Sequence, residues 1–161
     1  MPNGFSCHIE IDYVLPNFMD ASIPLQQCAE EIKNDAQRNI RLGADFETGA
    51  PFKPLSKKTV QDKLREVGFG DRPLFRKGIM YNAIHAYKAT RDEVTIGIVA
   101  KGKPTRDNVA VWQQIDGVNQ HTKTTRRFFG VSDKRLKWIT SRMVRWVKEQ
   151  TEKAQHKHIS I

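Results

Sequence analysis

Cysteine is scarce: Cys7 and Cys28 are the only two in 161 residues. Two cannot build a disulfide framework, and their spacing fits neither a zinc pair nor a redox motif. Both read as small buried hydrophobes, the ordinary place of a free cysteine. Long apolar runs are missing as well. Mean hydropathy is −0.59, and no stretch approaches the about 20 apolar residues that span a bilayer. No membrane partner is expected. Met1-Pro2-Asn3-Gly4-Phe5-Ser6 has neither the basic start nor the apolar run of a secretory leader, so cytoplasmic synthesis is expected. Internal repeats and low-complexity tracts are absent.

The C-terminal quarter is short of acid. Residues 121–161 hold 11 Lys and Arg against 3 Asp and Glu, whereas residues 1–120 hold 16 against 15. Nearly all of the net charge of +9 therefore sits at one end. Such a segment suits nucleic acid, an acidic protein surface, or a solvated helix face. The remaining composition, 39% hydrophobic and 28% charged, is that of a folded domain rather than a disordered chain. The length fits a single domain over 1–161, with 152–161 expected as a flexible tail.

The pattern of apolar residues gives the elements. Phe5, Cys7, Ile9, Ile11 and Tyr13 alternate with polar residues, the period of a strand buried on one face. Asp20 or Ser22 can cap a helix with Pro24 in its first turn. Leu25, Cys28, Ala29, Ile32, Ala36 and Ile40 keep helical spacing until Gly43, with Glu30, Glu31, Lys33 and Asp35 expected in water. Ser56 caps a short helix to about Val67, with Val60 and Leu64 inward. A helical turn near Gly78–Ile84 leads to a hairpin of about 84–89 and 93–99, turning at Thr90-Arg91-Asp92. Val109, Trp112 and Ile115 fit a short helix ended by Gly117. Thr125–Gly130 reads as a short strand. Ser132 caps the last helix, to about Thr151, with Leu136, Ile139, Met143, Trp146 and Val147 inward. These elements make an α+β domain: a small antiparallel sheet packed against an N-terminal and a C-terminal helix, with short helices and long loops.

No residue set stands out for catalysis. Gly97–Lys103 fits the opening of a phosphate-binding loop, but Pro104 stands where Ser or Thr must hold magnesium. His8, His85, His121, His156 and His158 show no ligand spacing. No catalytic residue, metal or cofactor is expected, and the chain is not expected to be an enzyme. The basic segment is more informative. Lys134, Lys137, Arg145 and Lys148, with Ser141 among them, share one side of the last helix, and Arg135, Arg142 and Glu149 share another. This surface suits phosphate or an acidic neighbour, and aromatics are not interleaved for base stacking.

Four segments then resemble one family. They are Phe46-Glu-Thr-Gly49-Ala-Pro-Phe52-Lys-Pro54-Leu55-Ser56 with Thr59 and Lys63; Leu74-Phe75-Arg76-Lys77-Gly78-Ile79-Met80-Tyr81-Asn82-Ala83-Ile84; Glu93-Val94-Thr95-Ile96-Gly97 followed by Val111-Trp112-Gln113-Gln114-Ile115-Asp116-Gly117; and Arg126-Arg127-Phe128-Phe129-Gly130-Val131-Ser132. In order and spacing they are similar to the phage virion morphogenesis family, the tail-completion or neck proteins of Mu-like and related tailed phages. Phe52 stands where the family has tryptophan, Thr125 replaces a proline, and Lys77 replaces a small polar residue.

The resemblance implies a structural virion protein of the head–tail junction, assembled in the host cytoplasm. It implies a ring, six-fold, around the DNA channel, touching other copies of itself, head-completion or connector proteins, and tail terminator or tail proteins. Interface positions are then expected at Trp112, Gln113, Arg126, Arg127 and Phe129, although large aromatics such as Trp112 and Phe129 are more often core than contact, while Arg126 and Arg127 are expected at the surface. The Lys134, Lys137, Arg145 and Lys148 surface would face DNA in the channel or an acidic neighbour. The alternative is a basic nucleic-acid-binding domain acting in phage DNA handling.

Overall fold

A computed structural model of the chain describes residues 6–10, 16, 19–75, 77–98 and 126–159. Among them the chain order is β1 (Ser6–Glu10), α1 (Ser22–Leu42), α2 (Lys57–Val67), α3 (Ile79–Asn82), β2 (Ile84–Ala86), β3 (Glu93–Ile98) and α4 (Asp133–Ile159). The fold is α+β, and the described residues hold one antiparallel sheet of order β1-β3-β2.

α1 organises the fold. Its apolar residues Leu25, Cys28, Ala29, Ile32, Ala36 and Ile40 recur at three- and four-residue steps, and all are buried. At its start the Asp20 carboxylate accepts the Ser22 N–H at 2.8 Å. Pro24 follows in the first turn, where a missing N–H costs nothing. At its end Gly43 takes the left-handed conformation (φ 66°, ψ 41°) and returns its N–H to the Asn39 carbonyl. A Cβ at Gly43 would also stand 3.1 Å from Pro73 Cδ, so a side chain there would be crowded as well as disfavoured by φ.

The sheet lies on α1 through β2 and β3. Register puts like with like: Cys7 opposite Ile96, Ile9 opposite Val94, Ile84 opposite Ile98. Ser6, His8 and Glu10 stay exposed on the other face, the period-two alternation expected of a one-sided strand. β2 ends at Ala86 instead of Ala89: after one more cross-strand bond, from the Tyr87 N–H to the Thr95 carbonyl at 2.9 Å, the backbone turns away from the ladder. The Ala89 N–H goes to Gln26 Oε1 of α1 at 2.9 Å. The turn is pinned too: the Ala21 N–H donates to the Arg91 carbonyl, and the Arg91 side chain donates to the Met19 and Pro16 carbonyls.

Four further readings are corrected. In α2, capped by Ser56 as expected, the buried residue is Lys63, whereas Leu64 is half exposed. Lys63 Nζ donates to the Arg72 carbonyl, a partner nine residues away that an apolar pattern cannot announce. Residues 126–130 form no strand. Phe128 and Phe129 are both fully buried, which consecutive residues of a one-sided strand cannot be. In α4 the buried seam is Ile139 with half-buried Met143 and Trp146, while Leu136 and Val147 are exposed. Finally, α4 runs on to Ile159 instead of ending near Thr151.

Candidate interaction surfaces

The loop after α1 is fastened to the segment before α4. Asp45 Oδ1 accepts the N–H groups of Glu47 and Thr48, each at 3.0 Å, and the Thr48 hydroxyl at 3.1 Å. This Asx-type turn leaves Oδ2 for Arg127, whose Nε donates at 2.9 Å. Arg127 also reaches Glu47 Oε2 at 3.1 Å and stands 5.7 Å from the Phe46 ring centre. The Phe46 N–H donates to the Arg127 carbonyl at 2.8 Å. Partial burial alone would raise the Asp45 carboxyl, but the Thr48 and Glu47 N–H bonds and the guanidinium together hold it below its ordinary range.

Three of the expected interface residues make their contacts within the chain's own fold. Phe129 is fully buried and Arg126 is 6% exposed, with burial lowering the guanidinium's affinity for its proton. Neither is available to a neighbour. Arg127 is half-buried and engaged by Asp45 and Glu47. The physical reason is the same for all three: the 126–130 segment closes over the end of α1, where Asn39 Nδ2 donates to the Phe128 carbonyl at 3.2 Å. Trp112 and Gln113 lie outside the described residues.

α4 lies antiparallel to α1. Arg135 Nε meets Asp35 at 2.6 Å and its other nitrogen meets Glu31 at 3.3 Å, while Arg142 donates to Gln27. Rising numbers on one helix thus meet falling numbers on the other. The hydrogen bond to Asp35 is the main reason that the Arg135 guanidinium holds its proton more tightly than usual. Both arginines flank the Trp138 ring, at 4.8 and 5.6 Å from its centre. Glu31 and Asp35, expected in water, are therefore helix-pairing residues. Their i, i+4 spacing, set against Arg135 and Arg142 at i, i+7 beside Ile139 and Trp146, is the signal that would have found them.

On the opposite side of α4, Lys134, Lys137, Arg145 and Lys148 are all exposed. None has an ion-pair partner among the described residues. They extend over about 21 Å at the rise of an α-helix. Beside them runs a second apolar strip, Leu136, Val144 and Val147, exposed at 55, 49 and 39%. Thr140 and Thr151, between and beyond them, turn their hydroxyls back onto the Leu136 and Val147 carbonyls. Elsewhere on the surface, His8 on β1 bonds Thr95 at 3.1 Å and stands 3.6 and 3.8 Å from Glu93 and Glu10. Among the described residues no group of three or more His, Cys, Asp or Glu is placed to hold a metal ion, and no helix is long and apolar enough to cross a membrane. Comparison with protein-family models, curated proteins and solved structures finds no match for this chain.

Proposed function

We propose that this chain is a structural protein of the phage head–tail junction, completing the tail or neck as a ring around the DNA channel. The observation that carries the reading is the union in space of segments that resemble the virion morphogenesis family. The first and fourth, 46–56 and 126–132, are joined by the Phe46 N–H bond to the Arg127 carbonyl and by the Phe46 ring lying on Gly130. The second is tied to α1 by Gln37 Nε2, which donates to the Tyr81 carbonyl at 3.1 Å. The third supplies the central strand β3. What these residues do is fix loops to one another, the work of a scaffold. A closed ring needs two unlike side surfaces on each subunit, and the outer face of the sheet, with exposed Glu10 and Glu93, would supply one of them. Partners in this reading are other copies in a hexamer, head-completion or connector proteins, and tail terminator or tail proteins.

The test is copy number in purified virions, by quantitative mass spectrometry against the portal protein. A fixed ring's worth of copies per particle is expected. Abundance in infected cells with absence from particles would overturn the reading. The second reading, a basic nucleic-acid-binding domain, is favoured by one observation, the four unpaired cations of α4. It requires DNA affinity that falls steeply with salt and collapses on charge reversal at Arg145 and Lys148.

A further inference from the structure

We propose that the outer side of α4 is a docking surface for an acidic amphipathic helix of another protein, rather than a track for nucleic acid. The inference stands on α4 itself and holds whether or not the chain sits in a neck. Its first support is the second apolar strip. Leu136, Thr140, Val144, Val147 and Thr151 recur at steps of four and three, the spacing by which one helix packs on another. The strip is separate from the Ile139, Met143 and Trp146 seam that the fold already uses.

Charge supplies the identity of the occupant. Lys137 and Lys148 stand beside the strip, with Lys134 and Arg145 one step further round, all exposed and without an ion-pair partner among the described residues. A partner helix with leucines along its own seam and carboxylates at the flanking positions would cover the strip and pair those cations. Nucleic acid would meet the cations and leave Leu136, Val144 and Val147 against a phosphate surface that offers no apolar contact. Nor is Trp138 a stacking platform for bases, since Arg135 and Arg142 stand over its ring.

A second copy of the described helices does not fit. Packing α4 on α4 brings like cations together. The exposed positions of α1 include Gln27, Asn34, Arg38 and Arg41. Those of α2 include Asp62 and Glu66, but Lys57, Lys58 and Arg65 outnumber them and Glu66 is already paired with Lys77 at 2.7 Å.

The experiment uses the full chain and a labelled synthetic helical peptide, leucine at its a and d positions and glutamate flanking them. A scrambled peptide of the same composition and a duplex DNA serve as competitors, at roughly 0.15 M salt, where distant charges are screened. Binding is followed by fluorescence anisotropy, and self-association by sedimentation velocity. Two double variants are compared, Val144→Ser with Val147→Ser and Lys137→Glu with Lys148→Glu. All four positions are exposed, and circular dichroism confirms that each variant keeps its melting temperature.

The expected result is saturable binding of the patterned peptide, about tenfold tighter than the scrambled one and weakened about tenfold by each double variant. Any of three results would overturn the proposal. The first is equal binding of both peptides, which reports charge alone. The second is DNA binding that outcompetes the peptide and ignores the valine substitutions. The third is no peptide binding, either with a dimer broken by the valine substitutions or with the chain monomeric. Virion copy number reads the neck assignment independently, so the failure of one reading is distinguishable from the failure of the other.

Discussion

The ring of Phe46 lies so close over Gly130 that a Cβ on the glycine would stand 2.5 Å from the ring's Cζ and 2.6 Å from Cε2. The two residues are 84 positions apart in the sequence, and their contact seals the loop after α1 onto the segment before α4. Gly130→Ala must push the ring aside and with it the Arg127 guanidinium above it. The expected cost is about 1–3 kcal/mol, the range for overpacking. Phe46→Ala removes the obstacle, so Gly130→Ala should cost little in that background. A double-mutant cycle in urea reads the coupling directly. Simple additivity would mean that the ring is not what excludes a side chain at 130.

Asp45 gives the same junction a pH dependence. Its carboxyl is held below its ordinary range in the folded chain by the Thr48 and Glu47 N–H groups and by Arg127, against the opposing pull of burial. A depressed folded value means that the stabilisation is present above the unfolded value, about 3.9, and is lost as pH falls through the lower folded one. Asp45→Asn should therefore lower stability at neutral pH, by about 1–3 kcal/mol for hydrogen bonds to a charged group. It should also flatten the acid limb of the melting temperature against pH. Parallel acid limbs for the two proteins would show that Asp45 contributes nothing charge-dependent.

How much of this was legible depended on the range of the interaction. α1 could be read almost residue by residue, because its burial is decided by one face at helical spacing, from Leu25 to Ile40, with Gly43 as a local stop signal. The Ser56 cap and the hairpin were legible for the same reason: their signals lie within a few residues. Arg126, Arg135 and Lys63 were not. Each is drawn inward by partners or packing from elsewhere in the chain, and a charged residue reads as surface until its partner is known. Phe128 and Phe129 defeated periodicity altogether, because an irregular segment can bury neighbours on both sides. The interface positions meet the same ambiguity. Large aromatics and arginines mark cores and interfaces alike, and here Arg126 and Phe129 went to the core.

The two thiols should differ in reactivity. Burial pushes both above the ordinary thiol range, and Cys28 is fully covered within α1 while Cys7 is half-buried on β1. Both should be slow toward a neutral alkylating reagent near pH 8, since the thiolate is the reacting form. Cys7 should label first. Cys28 should label at the rate of unfolding and rapidly only in denaturant. Mass spectrometry of a labelling time course checks the order. Early modification of Cys28 would mean that α1 opens far more readily than its burial implies.

Arg135 should prove the main polar tie between α4 and α1. One guanidinium meets Asp35 at 2.6 Å and Glu31 at 3.3 Å and covers the Trp138 ring. The pair with Asp35 is largely shielded, each side chain being less than one-fifth exposed, so solvent screens it less than an ordinary surface pair. Arg135→Ala should lower stability by about 2–3 kcal/mol, below the full cost of a broken buried pair, because Arg38 still reaches Asp35. Arg135→Lys should recover only part of that. A lysine keeps the charge but can neither bridge two carboxylates as a fork nor lie flat on the indole. Tryptophan emission provides a second readout: uncovering Trp138 should shift it to the red in the Ala variant, and a Trp138→Phe control assigns the change. Full recovery by lysine would reduce Arg135 to a point charge, and the fork and the stacking would then have no part in holding α4 to α1.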